Sequence, residues 1–221
     1  MWTRSELKAR GKAAFKANYW RCVLIALLLT ICIGGISLSI GTSYTSSSTD
    51  IVNTQAVTVA INTVAGIGAT LGLIMSLVKI LVLNPLEVGS RNFFRKNLYE
   101  PASEKEVGTG FHSWARNAGT LLLRDIFLAL WSCLFIIPGL IKFYSYRMVP
   151  YILADDPDCG AREAIRRSCE MMKGHKWNTF VLDLSFLGWW ILTAFTFGIL
   201  GLFYVAPYQY STDAALYESI R

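Results

Sequence analysis

The stretch of sequence that decides the fold is residues 121–158, LLLRDIFLALWSCLFIIPGLIKFYSYRMVPYILADDPD. It holds about 30 mostly apolar residues, whereas one membrane helix needs about 20 of them to cross a hydrocarbon core about 30 Å thick. Pro138 and Gly139 interrupt the stretch near its middle. It is therefore long for one crossing and slightly short for two, and the topology of the whole chain depends on its interpretation.

The charges that flank this stretch favour a reversal at Pro138 and Gly139. Residues 86–117 and residues 156–178 each carry five Lys or Arg, and loops rich in these residues stay in the cytoplasm. Two flanks on one side exclude an odd number of crossings. We therefore predict a helical hairpin, because Pro does not continue a helix with normal hydrogen bonding and Gly tolerates a turn. A re-entrant loop is the alternative, since the second arm, residues 140–154, is short.

The composition is typical of a multi-pass membrane protein. Hydrophobic residues make up 53% of the 221 residues and charged residues only 16%, whereas a soluble domain carries about 25% charge. We therefore predict one integral membrane domain over residues 1–221. The net charge of +6 is assigned to cytoplasmic loops and not to nucleic-acid binding, because no recognition helix or zinc pattern accompanies it.

The N-terminal region predicts a surface helix followed by two spans. Residues 1–20 are basic and amphipathic, and such a helix lies on a membrane with its cations toward anionic headgroups. Its predicted apolar face is Leu7, Gly11, Ala14 and Phe15. Residues 22–40 are the first predicted span, with a signal peptide as the competing interpretation. Because six Lys or Arg precede this span and none lies in residues 41–62, we predict a cytoplasmic N-terminus and a returning span at residues 63–83.

Two further units follow the same plan. Ser103 and Glu106 resemble a capping box that starts a second surface helix. Its predicted apolar face is Val107, Phe111, Trp114 and Ala115. A third amphipathic stripe, with Asp158 as its predicted cap, consists of Ala161, Ala164, Ile165, Ser168, Cys169 and Met172. Residues 179–208 then predict a second short-turn hairpin, broken at residues 195–198, after which the C-terminus lies in the cytoplasm.

The predicted fold class is all-α, a polytopic membrane helical bundle of about six transmembrane helices arranged as three hairpins, each preceded by an amphipathic surface helix. Each unit runs from an interfacial Trp to a Pro, and the pairs are Trp20 and Pro85, Trp114 and Pro150, and Trp177 and Pro207. The corresponding pseudo-repeats are residues 3–88, 103–154 and 158–217. Unrelated hairpins that share interfacial aromatic residues are the alternative.

Ionisable residues at membrane depth provide the candidate functional site. Counting at 1.5 Å per residue brings them to one layer on the cytoplasmic side. The candidates are Lys79, Asp125, Arg147 and Asp183. Asp125 and Arg147 lie on opposite arms of the hairpin at matched depth, so we predict that they meet. Such charges face the interior of a bundle, either as a pocket for a lipid headgroup, peptide or ion, or as a balanced ion-pair network that holds the helices together.

The sequence contains no catalytic or metal-binding motif. It has no nucleophile elbow, no HExxH and no P-loop, and His112 and His175 lie on separate segments. The five Cys form no CxxC pair and no cluster with His, so they are interpreted as structural thiols. We therefore predict no catalytic residues, no metal ion and no cofactor.

Three segments carry a resemblance to a known family. They are TRSELKARGKAAFKANYW at residues 3–20, IPGLIKFYSYRMVPYILADDPD at residues 137–158 and SCEMMKGHKWNTFVLDLSFLGWW at residues 168–190. They resemble the domain-of-unknown-function 975 family of bacterial integral membrane proteins, over nearly the whole chain except residues 42–60. The chain is also distantly similar to the membrane domain attached to some glycerophosphodiester phosphodiesterases. The resemblance implies a bacterial membrane protein, and the family has no established activity or catalytic residues to transfer.

Two functional hypotheses follow. The first is a non-enzymatic membrane protein that binds a lipid or an amphipathic peptide, in envelope maintenance, export or immunity. The alternative is a small transporter or permease component that uses the charged layer. Membrane lipids and a peptide or other small amphipathic ligand are thus the expected partners, and the sequence defines no oligomeric state. Ligand-dependent stabilisation without flux distinguishes the first hypothesis from the second, and the absence of an energy-coupling motif favours it.

Overall fold

In the computed structural model of the chain, the residues described are 2–34, 70, 72 and 74–221, and they are helical without a strand. The α-helices are α1 Arg4–Ala17, α2 Tyr19–Gly34, α3 Asn84–Lys96, α4 Trp114–Leu134, α5 Ile136–Tyr146, α6 Val149–Asp155, α7 Ala161–Met171, α8 Lys176–Leu184, α9 Leu187–Phe195 and α10 Ala206–Ile220. The all-α prediction is confirmed. The end of the first predicted span, the loop at residues 41–62 and the first part of the span at residues 63–83, namely residues 63–69, 71 and 73, lie outside the described residues.

Two helical stretches are long and apolar enough to cross a membrane. They are Trp114–Leu134, and Lys176–Phe195, which consists of α8 and α9. A third candidate arises if α1 and α2 are counted as one span, although they are bent by 108°. Six spans are not confirmed among the described residues. The second arm of the central hairpin explains part of the difference, because the 11 residues of α5 extend only about 16 Å at 1.5 Å per residue.

The central reversal lies at Phe135, three residues before Pro138, so its predicted position is wrong. Phe135 has an extended backbone with φ −160° and ψ 145°, and α5 begins directly after it. Pro138 therefore lies in the first turn of α5, where its missing N–H costs no hydrogen bond. Gly139 has a different role, since a Cβ there would lie 3.0 Å from Cα of Ser132 on α4. The glycine thus permits close packing of the two arms.

The predicted apolar face of α1 is buried, but against protein. Leu7, Gly11, Ala14 and Phe15 are all buried, and α1 packs mainly on α10. The contact is close, because a Cβ on Gly11 would lie 2.6 Å from Oγ1 of Thr212. The C-terminal helix therefore covers the predicted apolar face: the periodicity identified the buried face but not the element that covers it. The membrane-surface position of α1 stays a prediction.

The second predicted surface helix is also different in the structure. Glu104–Phe111 is a 3-10 helix, and α4 begins separately at Trp114, so the predicted face does not form one continuous helix. The segment packs on α3 through backbone contacts. A Cβ on Gly89 would lie 1.8 Å from the carbonyl oxygen of Val107, and a Cβ on Gly110 would lie 1.9 Å from that of Pro85. Glycine at both positions is what allows the two backbones to touch.

The third predicted stripe agrees with the structure except at its cap. Ala164, Ile165, Ser168 and Met172 are buried. The cap of α7 is Gly160, which offers no side chain, and not Asp158, whose backbone N–H donates to Oδ1 of Asp156 at 3.1 Å. The following hairpin turns at residues 196–198, within the predicted break. Phe197 and Gly198 take the left-handed φ values of 51° and 86° that close this turn.

Three prolines mark the starts of helices in the described chain. Pro85, Pro150 and Pro207 lie in the first turns of α3, α6 and α10, and five-residue π-helical segments, Lys79–Leu83 and Gly201–Val205, precede the first and the last. Proline leaves the carbonyl four residues earlier without its helical donor. Trp114 Nε1 donates to the Leu81 carbonyl at 2.6 Å, and Tyr19 Oη donates to the Phe203 carbonyl at 3.2 Å. The repeat itself stays a prediction, and this shared construction is consistent with it.

Candidate functional site

The helices α3, α6 and α10 meet at a buried polar centre. Tyr151 of α6 stacks on Tyr217 of α10, with ring centroids 5.2 Å apart and an interplanar angle of 16°. Tyr217 Oη donates to Oδ2 of Asp155 at 3.1 Å, and Arg95 of α3 forms an ion pair with the same carboxylate. These contacts fix the three helices relative to one another, and a cavity lies beside them.

The cavity has a volume of about 410 Å³ and is lined by eight charged side chains. They are Lys79, Glu87, Arg91, Arg124, Asp125, Arg147, Asp183 and Asp213. Four are basic and four are acidic, so their formal charges sum to zero. Charges in a region of low dielectric are costly unless they are paired, and the pairing divides them into two neutral clusters.

The first cluster, called here the Lys79 cluster, consists of Lys79, Asp125, Arg124 and Glu87. Lys79 Nζ lies 3.1 Å from Oδ2 of Asp125. Arg124 lies between the two acids: its Nη2 is 2.9 Å from Asp125 Oδ1, and its Nη1 and Nη2 donate to both oxygens of Glu87 at 3.1 and 3.3 Å. The bidentate hydrogen bond to Glu87 fixes the position of Arg124, whereas the side chain of Lys79 is 43% exposed.

The second cluster, called here the Arg147 cluster, consists of Arg147, Asp183, Asp213 and Arg91. Arg147 donates to both oxygens of Asp183 at 2.5 and 3.0 Å and to Asp213 at 2.7 Å. Asp213 lies in α10, outside the candidate spans. Burial raises the pKa of its carboxyl group above the usual value, and the positive charge of Arg147 opposes that effect.

Arg91 is the least satisfied charged group of the cavity. It is 8% exposed, and its Nε has no hydrogen-bond partner among the described residues. Its Nη1 donates to Tyr151 Oη at 3.2 Å but lies 3.7 Å from the carboxylate of Asp213. The rings of Tyr151 and Tyr210 lie 5.3 and 5.1 Å from its guanidinium carbon. Arg91 is thus held by aromatic rings and a hydroxyl group, without a close carboxylate.

The structure brings the four residues singled out from the sequence to one cavity, though not in the predicted pairs. Lys79, Asp125, Arg147 and Asp183 all line it. Asp125 and Arg147 form no ion pair with each other within the described chain, so the prediction that they meet is wrong. The reason is that each residue has another partner closer to it: Asp125 forms an ion pair with Arg124, and Arg147 forms one with Asp183.

Sequence reasoning missed Glu87, Arg91 and Asp213, and it left Arg124 out of the layer although Arg124 adjoins Asp125. It assigned the first two to a cytoplasmic loop and the third to a C-terminal tail, because charged residues beside apolar stretches look like loop residues. One signal could have found Glu87 and Arg91: they are four residues apart and therefore share a face of the helix that Pro85 begins. Asp213 has no comparable signal in the sequence.

The described residues of the cavity present paired positive and negative groups. Within the described residues, no group of three or more His, Cys, Asp or Glu is placed to hold a metal ion. The four carboxylates of the cavity each have a basic partner within 4 Å. The geometry is that of a small cavity in which positive and negative groups are fixed beside apolar side chains.

The fold and the cavity define an all-helical protein that has two or three helices able to span a membrane and a charged interior site. The chain belongs to the DUF975 family, described as a protein family of unknown function, whose sequence model matches residues 109–221. This match includes two of the three segments that carried the resemblance, and the third, residues 3–20, lies before it. No curated protein and no solved structure matches the chain, and the distant similarity to the membrane domain of glycerophosphodiester phosphodiesterases is not shown.

Proposed function

We propose that the chain is a multi-pass protein of the bacterial cell membrane, with both termini in the cytoplasm, whose charged cavity binds the polar head of a membrane lipid. The protein acts as a binding protein and not as an enzyme. The observation that carries the proposal is a 410 Å³ cavity lined by eight charges and three exposed apolar side chains. A lipid is the partner whose two ends match these two kinds of surface.

The charges of the cavity support binding over a purely structural role. In a network that only joins helices, every charge is expected to be paired within the network, because an unpaired charge inside a membrane protein is costly. Here the side chains of Lys79 and Asp125 remain 43% and 26% exposed, and Arg91 lacks a close carboxylate. These groups are able to bind a ligand while the hydrogen bonds from Arg124 to Glu87 and from Arg147 to Asp183 stay in place.

The apolar rim of the cavity supports a lipid as the ligand. Ile33, Phe143 and Trp190 line the cavity and are also 47%, 52% and 43% exposed. They come from α2, α5 and α9, three separate helices. Exposed apolar side chains on apolar helices contact acyl chains in a bilayer, so a lipid is able to place its head among the charges and its chains along this rim.

Removal of the most exposed ion pair tests the proposal. Lys79→Gln with Asp125→Asn leaves the net charge unchanged and leaves the bond between Arg124 and Glu87 in place. We expect the purified double variant to keep its fold and to retain lipid at least about tenfold less well than the wild type, since hydrogen bonds to charged groups contribute about 1.5–3 kcal/mol each. Native mass spectrometry in a mild detergent measures the retained lipid.

The matched control is Glu163→Gln with Arg166→Gln on the exposed face of α7, where an ion pair of 2.7 Å lies outside the cavity lining. This variant removes the same number of charges and should retain lipid like the wild type. Equal lipid occupancy in all three proteins would contradict the proposal. Movement of lipid across proteoliposome membranes by the wild type, lost in the cavity variant, would instead favour the transporter hypothesis.

A further inference from the structure

We infer that Arg91 is the anion-binding residue of the cavity and that the bound head is zwitterionic, with a phosphate at Arg91 and an ammonium group near Asp125. This inference rests on the proposed function, because it names the class of lipid that the same cavity takes. It is carried by the difference between Arg91 and the two other arginines of the cavity, and by the balance of the cavity charges.

The three arginines differ in what their guanidinium groups bind. Arg124 and Arg147 each donate hydrogen bonds to two carboxylates, at 2.5–3.3 Å. Arg91 has one carboxylate within 4 Å, that of Asp213 at 3.7 Å, and Asp213 is already held by Arg147 at 2.7 Å. A buried guanidinium with unused donors is a site for a carboxylate or phosphate, whose oxygens match its planar fork.

The surroundings of Arg91 hold it ready for such a ligand. The rings of Tyr151 and Tyr210 fix the guanidinium group at 5.3 and 5.1 Å, and Tyr151 accepts one of its hydrogen bonds. A fixed group loses little conformational freedom when it binds, so less of the interaction energy is lost on ordering. Arg91 is therefore pre-organised in a way that the more exposed Lys79 is not.

The balance of charge selects a zwitterion. The eight lining charges sum to zero, so an anion alone would leave the cavity with one uncompensated negative charge, which is costly in a low dielectric. A head that also carries an ammonium group restores neutrality. Asp125 is the acid best placed to receive it, because its side chain, 26% exposed, is the most exposed of the four acids of the cavity. The ethanolamine phosphodiester head of phosphatidylethanolamine has this chemistry.

Thermal unfolding of the full chain in detergent, with added lipids of identical acyl chains, tests the inference. The probes are phosphatidylethanolamine, phosphatidylglycerol and diacylglycerol, together with glycerophosphoethanolamine, the free phosphodiester head without acyl chains. We expect phosphatidylethanolamine to raise the apparent melting temperature most, the anionic lipid to raise it less and diacylglycerol to leave it unchanged. Arg91→Gln should weaken the binding of phosphatidylethanolamine at least about tenfold.

The variant Arg91→Lys guards against simple misfolding. It keeps the positive charge but lacks the planar fork, so it should fold like the wild type and bind phosphatidylethanolamine with an affinity between those of wild type and Arg91→Gln. Unchanged affinity in both variants would overturn the role of Arg91.

The set of lipids distinguishes the zwitterionic headgroup from lipid binding in general. Stabilisation by phosphatidylglycerol that equals that by phosphatidylethanolamine would overturn the zwitterion and leave lipid binding in the cavity standing. Equal stabilisation by diacylglycerol, which has no charged head, would overturn the binding of a lipid head among the charges and with it the proposed function. No stabilisation by any of the three lipids would overturn the proposed function as well. An equal effect of glycerophosphoethanolamine would support the headgroup chemistry and overturn a membrane lipid as its source.

Discussion

The substitution Gly89→Ala is expected to prevent stable folding. Gly89 lies on α3 between Glu87 and Arg91, and a Cβ at this position would be 1.8 Å from the carbonyl oxygen of Val107 and 2.6 Å from its carbonyl carbon. Both are backbone atoms, so no change of side-chain rotamer relieves the overlap. We expect a loss of about 3 kcal/mol or more, at the upper end of overpacking effects, measured as apparent melting temperature and yield of monodisperse protein.

Gly108→Ala is the matched control for this experiment. It adds the same methyl group to the 3-10 segment that Gly89 contacts, at a position where, apart from the segment's own backbone, no heavy atom lies within 4 Å of the new Cβ. Its melting temperature should stay close to that of the wild type. The close contact between α3 and Glu104–Phe111 orients Glu87 and Arg91. If Gly89→Ala and Gly108→Ala have the same melting temperature, this contact is not present in solution.

The second large effect is expected for Arg147→Gln. Arg147 is the shared partner of Asp183 and Asp213, so its neutralisation leaves two acids facing each other in a buried site. Removal of one partner from a buried ion pair costs about 3–5 kcal/mol, chiefly through the charge left behind. The prediction is checked by thermal or denaturant unfolding in detergent at neutral pH.

A second variant shows whether the cause is the stranded charge. Arg147→Gln combined with Asp213→Asn removes one of the two acids that Arg147 neutralises. Burial already raises the pKa of Asp213 and so favours its neutral form. The double variant should therefore be more stable than Arg147→Gln alone. Arg166→Gln, at an exposed site on α7, should leave the melting temperature unchanged, because surface ion pairs contribute little. A double variant less stable than the single one would contradict the electrostatic explanation.

Periodicity in the sequence predicted the buried side chains of two of the three amphipathic stretches, but not what buries them. In the second stretch Phe111, Trp114 and Ala115 are exposed. The face of α1 and the stripe of α7 are both buried as expected, since apolar residues at helical spacing must leave water. The partner of α1 is the C-terminal helix, and the sequence of that helix gave no sign of it, because its polar residues made it look like a tail. The contact depends on Gly11 meeting Thr212, a pair separated by most of the chain.

The charged site was partly predictable for a similar reason. Lys79, Asp125, Arg147 and Asp183 stand out because they lie in apolar surroundings, where charge is unusual. Glu87, Arg91 and Asp213 lie in segments with ordinary polar composition, so nothing distinguished them from loop residues. Their place in the cavity follows from the packing of α3 on α10, which is a tertiary contact and has no local pattern.

Photo-crosslinking with a lipid tests the central claim, lipid binding in the charged cavity, most directly. A phosphatidylethanolamine that carries a diazirine on its acyl chain is reconstituted with the protein, irradiated and mapped by peptide mass spectrometry. We expect more labelling at Phe143 and Trp190, which line the cavity, than at Leu134 and Phe195. The latter two side chains are more exposed, at 64% and 78%. That enrichment should be lost with Lys79→Gln and Asp125→Asn. Labelling that simply follows exposure, and is the same in the wild type and the double variant, would contradict it.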